Sequence, residues 1–170
     1  MRALSLILII GGICWGSLLG IAAERPSMPN SRMLYHEMAL EGTIDYTVFE
    51  RAIAGYNRMG SFDKNILTVI DFTKPSTEKR LFVIDLKLKK VLFISYVAGR
   101  NSGEKYATSF SNQEGSFKSS LGFYQTENTY YGKNGYSLVL NGLERGINDK
   151  AKERAIVVHG AAYADPSTIR

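Results

Sequence analysis

Read for the spacing of its apolar positions, the chain divides into three stretches. The first is apolar without a period. Ala3 to Ile21 is almost uncharged, with small residues at Gly20, Ala22 and Ala23. The second is helical. Asp45 stands where an N-cap belongs, and Phe49, Ala52, Ile53 and Tyr56 fall at i, i+3, i+4 and i+7, one face of a helix. Gly60 is its predicted stop. Gly55 argues against this helix, since a mid-helix glycine costs about 1 kcal/mol relative to alanine. A shorter helix is predicted upstream, capped by Ser31, with Leu34 and Met38 on one face. At Ile66 the pattern changes. Ile66 to Phe72, Arg80 to Leu86 and Lys90 to Ala98 are rich in Val, Ile, Leu and Phe and bounded by turn-like or charged residues, so they read as strands. Leu121 to Glu127, Tyr136 to Leu140 and Ala155 to His159 read the same way. Tyr136, Leu138 and Leu140 share one face of theirs. A helical turn is expected from Asn148 to Glu153. The sum is a mainly β fold with N-terminal helices, an antiparallel sandwich or open barrel.

The opening run has the form of a secretory signal, with Arg2 as its positive start and small residues where a peptidase needs them. Cleavage is expected after Ala22 or Ala23. The alternative is an uncleaved anchor helix, because the run approaches the roughly 20 residues that span a bilayer. Either way the chain is expected to be exported, to the periplasm or cell envelope. The expected organisation is 1–23 signal peptide, 24–42 linker and short helix, and one domain over 43–170.

Cys14 is the single cysteine, so the cleaved chain forms no disulfide and depends on core packing. Ile13 occupies the place where a lipid-attachment signal wants a small residue. A domain of this size buries roughly 68–70% of its surface, enough for a core. The net charge of +5 is scattered, and Lys87, Lys89 and Lys90 fall in an expected hairpin turn. No basic face is formed, so nucleic acid is not an expected partner.

Candidate chemistry is sparse. The two histidines are His36 and His159. His36 lacks a partner histidine four positions away, so the zinc-protease pattern is absent and no metal or cofactor is expected. His159 ends an apolar strand and precedes Gly160. It reads as a proton acceptor at neutral pH, or as a core histidine bonded to backbone. A serine triad would draw on Ser119 or Ser120 with Asp149 or Asp165, but no glycine-x-serine-x-glycine elbow is present. Gly99 to Ser120 is a long polar segment, of the kind that faces substrate or is mobile.

Several stretches together resemble the murein L,D-transpeptidase catalytic-domain family of the YkuD type. They include Leu67 to Phe72, Lys79 to Leu86, Phe110-Ser111-Asn112, Ser119 to Tyr124, Tyr130 to Leu138, Gly142 to Asn148 and Arg154 to Tyr163. The resemblance spans about Thr43 to Arg170. It implies a β-rich fold and a cysteine nucleophile that attacks a peptidoglycan stem peptide. A histidine in the position of His159 assists that thiol. It also implies stem peptides as partners, with Gly160, Tyr124, Gly122, Tyr130 and Tyr131 as candidate substrate-binding residues. Membrane contact is implied only through an uncleaved signal segment. Two departures stand out. The family's serine-x-glycine-cysteine block follows the histidine, and no such block occurs before Arg170. Where relatives read Val-Ala-His-Gly, this chain reads Val97-Ala98-Gly99. The resemblance thus implies a domain lacking its C-terminal part and inactive by itself, or a non-catalytic peptidoglycan-binding envelope protein.

Overall fold

The computed structural model describes residues 6–10, 30–59, 65–99, 103, 105–165 and 167–168. In chain order the elements are β1 (Leu6–Ile10), α1 (Ser31–Glu37), α2 (Tyr46–Met59), β2 (Ile66–Asp71), β3 (Leu81–Asp85), β4 (Lys90–Ser95), β5 (Gly122–Gly132), β6 (Gly135–Gly142) and β7 (Val157–His159). A 3-10 turn, Ala162–Ala164, closes the series. The strands form one sheet in the order β4-β3-β2-β1-β5-β6-β7. β1 and β2 are parallel, and every other pair is antiparallel. Without β1 the sheet is two antiparallel three-stranded sheets.

Residues 1–5 and 11–23 of the expected leader lie outside the described residues. Leu6–Ile10 is a strand rather than part of an anchor helix. Among the described residues no helix is long and apolar enough to cross a membrane.

Asp45 caps α2 as expected, accepting the Thr47 N–H at 2.8 Å. α1 differs in detail. Asn30 is its cap, accepting from the Arg32 N–H at 2.9 Å, and Ser31 is the first helical residue. Its Leu34 and Tyr35, with Leu40, are buried in the main core, so the packed unit begins ahead of residue 43. Gly55 belongs in α2 for a steric reason. A Cβ there would stand 1.7 Å from Cζ of Phe123, so the glycine lets the ring lie on the helix backbone.

The core has two parts, one on each side of the sheet. α1 and α2 cover the first, where Phe49, Ala52 and Ile53 meet Leu67, Val69, Phe82, Ile84 and Phe123. Alternation sends Ile70, Tyr124 and Leu140 to the second, with Phe72, Leu121 and Ala151. Leu81, Val97, Phe110, Ile156 and Val158 pack against it. Residues from both ends of the sheet therefore meet over one cluster. That curl is the open-barrel character expected from the strand pattern.

Candidate active-site cleft

A cleft of about 230 Å³ opens over the second cluster. Its floor is apolar, with Ile70, Phe72, Leu81 and Leu140. Tyr96 to Ala98, just past β4, form one wall. Val157 to His159 on β7 and Tyr163 form another, and Ser119 completes it. Two segments distant in sequence thus share one cleft: the histidine segment and the Val97-Ala98 segment where the family pattern carries a further histidine.

His159 is partly exposed, and its Nδ1 lies 2.9 Å from the Gly160 carbonyl oxygen. A carbonyl can only accept, so Nδ1 carries a hydrogen, and in the neutral ring Nε2 holds the lone pair. That is the tautomer a proton acceptor needs. The backbone contact foreseen for a core histidine is also present, so both readings of His159 share one geometry. Gly160 is exposed, with open space where a side chain would point.

Two arginines hold the walls. Arg80 is 2% exposed. Its Nε and Nη2 donate to the Val97 carbonyl at 3.0 and 2.6 Å, and Nη1 donates to the Lys74 carbonyl at 2.8 Å. Its Cζ sits 4.7 Å from the Phe72 ring centroid. Burial lowers its pKa, while nearby Asp71 opposes that shift. Arg154 grips the long segment. Nη1 donates to the Ser111 carbonyl at 2.8 Å and to Ser120 Oγ at 2.7 Å. Nη2 donates to the Lys118 carbonyl at 2.7 Å and to Ser116 Oγ at 3.1 Å. The planar fork of guanidinium suits such multiple contacts, where lysine would serve as a point charge. The polar segment is accordingly pinned beside the cleft over residues 111–120. Nothing in the sequence pattern singled out Arg80 or Arg154. Their signal was a charged residue at the border of an apolar run.

The remaining candidates divide. Tyr124 is fully buried and its hydroxyl donates to the Ser120 carbonyl at 2.8 Å, which makes it a core residue. Burial pushes its phenol pKa well up. Gly122 is also internal. Its φ is +103°, and a Cβ would stand 2.1 Å from Glu144 Oε2. Around it Glu144 Oε2 accepts the Phe123 N–H at 2.7 Å, and Asn148 Nδ2 donates to the Leu121 and Phe123 carbonyls, both at 3.0 Å. Gly122, Glu144 and Asn148 therefore form a lock between β5 and the turn after β6. Tyr130 and Tyr131 are exposed near the β5–β6 turn. Ser137 pairs with Tyr130 on one side and His159 on the other, so those three stand in one row. At about 4.8 Å per strand, Tyr130 is roughly 10 Å from His159 along the sheet. Tyr131 points to the opposite side and packs on Tyr136, ring centroids 5.1 Å apart.

The serine triad is not assembled. Ser120 is 1% exposed and donates to the Ser111 carbonyl at 2.9 Å while accepting from Arg154. Asp149 accepts from Asn112 and the Gly146 N–H, and Asp165 accepts from Ser167. Neither carboxylate orients His159. His36 pairs with Glu41 in an exposed position. Among the described residues no group of three His, Cys, Asp or Glu side chains is placed to hold a metal.

A curled β sheet with helices on one side, and a histidine lining an apolar cleft, define a β-rich domain. The family model for the L,D-transpeptidase catalytic domain matches residues 40–170. The chain belongs to that family. No curated protein and no solved structure matches it.

Proposed function

We propose that this chain forms the histidine side of a peptidoglycan L,D-transpeptidase site and binds murein stem peptides in the cleft beside His159. One observation carries the reading. His159 and Val97-Ala98 line the same cleft in a chain whose residues 40–170 match the family. In the family reaction a cysteine sulfur attacks the carbonyl between an L-centre and a D-residue. The C–S bond forms, the amide C–N bond breaks, and the thiol proton goes to the imidazole and then to the leaving amine. An amine acceptor later takes the acyl group from sulfur. In this chain Nε2 of His159 is the atom suited to that proton.

Cys14 is the single cysteine of the 170 residues and lies outside the described residues. No thiol stands beside His159 among the described residues. We therefore assign the polypeptide of these 170 residues binding without acyl transfer. The same reading places it outside the cytoplasm, where peptidoglycan is found, with residues 1–23 as the export signal.

The test is a titration of the purified chain with a synthetic stem peptide ending in a D-amino acid, followed by NMR. Saturable shifts at His159, Val97 and Ala98 are expected, with no cross-linked product by mass spectrometry. Shifts absent from those residues would overturn the binding site. Cross-linked product would overturn the assignment of binding alone.

A further inference from the structure

Three tyrosines at the outer end of the β5–β6 hairpin are left to solvent. Tyr130 is 42% exposed, Tyr131 83% and Tyr136 57%. A single exposed apolar side chain needs no explanation, but a contiguous group marks a place of interaction. Tyr131 and Tyr136 stand directly opposite each other on the two strands. Their ring centroids are 5.1 Å apart, with the planes inclined at 48°. The Tyr136 hydroxyl donates to Thr129 Oγ1 at 2.9 Å, which holds that ring in place. The turn beyond them is short, with Gly132 opposite Gly135. Gly135 has a φ of +78°, which glycine adopts without strain.

Register ties this pair to the cleft. Tyr136, Leu138 and Leu140 follow one face of β6 by alternation. Leu138 stands opposite Thr129 on β5 and Val158 on β7. Leu140 belongs to the second core cluster, and Leu138 and Val158 pack against it. Leu140 and Val158 also line the cleft. An apolar track therefore leads from the cleft, past Leu138, to the tyrosine pair. At about 3.4 Å per residue, Tyr136 lies roughly 14 Å along the strand from Leu140. An extended peptide of about four residues covers that distance.

The chemistry of the patch selects its occupant. Between Asn128 and Asn141 the single charged residue is Lys133. An anionic lipid surface calls for a cluster of about four or more basic residues. Two tyrosine side chains supply at most about 300–500 Å². A stable protein interface needs roughly 800 Å² from each partner. A sugar ring fits both limits. Its C–H face is weakly positive and lies on the negative face of an aromatic ring. Its hydroxyls can bond to the phenol oxygens and to Lys133 and Asn134, which are exposed in the turn. We propose that Tyr131 and Tyr136 form a saccharide subsite, which stacks an N-acetylated hexose of the glycan that carries the stem peptide. The proposal rests on the stem-peptide reading of the cleft: the peptide follows the Leu138 track, and its sugar end comes to the tyrosines.

The test titrates three ligands into the full chain: the stem peptide, the same peptide joined to its disaccharide, and tetra-N-acetylglucosamine alone. The disaccharide-peptide should bind at least fivefold more tightly than the free peptide. The tetrasaccharide should shift the ring signals of Tyr131 and Tyr136 in NMR. Tyr131→Ala should bring the two peptides to equal affinity, and Tyr131→Trp should keep them apart. The exposed position of Tyr131 lets both variants fold. No shift at Tyr131 and Tyr136 with either sugar ligand would overturn the inference, as would an advantage that survives in Tyr131→Ala. A free peptide that fails to bind, while the tetrasaccharide still shifts the tyrosines, would remove the stem-peptide reading and leave the subsite standing. Binding to phosphatidylglycerol vesicles, or dimerisation, that is lost in Tyr131→Ala would assign the patch to a membrane or to a second copy and overturn it.

Discussion

At the scale of single residues, the informative positions are those where one atom more or less changes the packing. Alanine in place of a mid-helix glycine ordinarily stabilises a helix by about 1 kcal/mol. At Gly55 the sign reverses, because the added methyl meets the Phe123 ring. Gly55→Ala is expected to destabilise the fold by about 1–3 kcal/mol, measured by urea denaturation. A gain in stability would show that Phe123 has room to move. Glu144 gives a pH signature. Burial raises its pKa, and the Phe123 N–H and Arg58 oppose that shift. A carboxyl with a raised native pKa binds more protons folded than unfolded. Its contribution is thus present below the ordinary carboxylate range and lost as pH rises through the raised value. Melting temperatures of wild type and Glu144→Gln should therefore diverge as pH rises from about 4 to 7, in favour of the variant. Parallel curves would show that the carboxyl is solvated as in the unfolded chain.

At the scale of elements, the sequence announced the periodic ones and was silent on their anchors. The α2 face and the β2 and β3 strands were legible because apolar spacing is a direct trace of a buried face, whereas β4 was legible from its Val, Leu, Phe and Ile although none of its residues is buried. β5 was read too short. Its outer part, Thr129 to Gly132, is exposed hairpin and carries no apolar signal. The polar segment over 111–120 read as a loop and is one, yet it is fixed. Arg154 makes that so by contacts too remote in sequence for any local pattern to show. Arg154→Lys should loosen this segment while sparing the sheet. Hydrogen exchange in 111–120 is expected to rise at least tenfold, with a stability loss of about 1–3 kcal/mol. Arg80→Met is the matching change on the other wall. It leaves the Val97 and Lys74 carbonyls without their donor and should weaken stem-peptide binding more than Arg154→Lys does. Equal binding in the two variants would show that the Val97 wall does not set the cleft.

At the scale of the whole molecule, the family was readable from the order of weak stretches rather than from any one motif. Gly122, Glu144 and Asn148 lock backbone, Tyr124 packs, and His159 lines the cleft. The composition of the apolar N-terminal run fits a leader and a central strand equally well. The sheet then behaves as two antiparallel halves joined by β1, and stability should divide along that line. In urea, native exchange in β2–β3–β4 and β5–β6–β7 should be lost together in wild type and separately in Leu8→Pro. Joint loss in both proteins would show that packing over the two core clusters couples the halves without β1.

The position of β1 also sets an order of events at the ribosome. β1 precedes its antiparallel neighbour β5, which begins at Gly122. At about 5–20 residues per second, on the order of ten seconds separate the two. Until β2 is made the strand has no edge to join, and until β5 is made it has only one. The sheet is thus joined across β1 only when β5 arrives, long after the strand it pairs with.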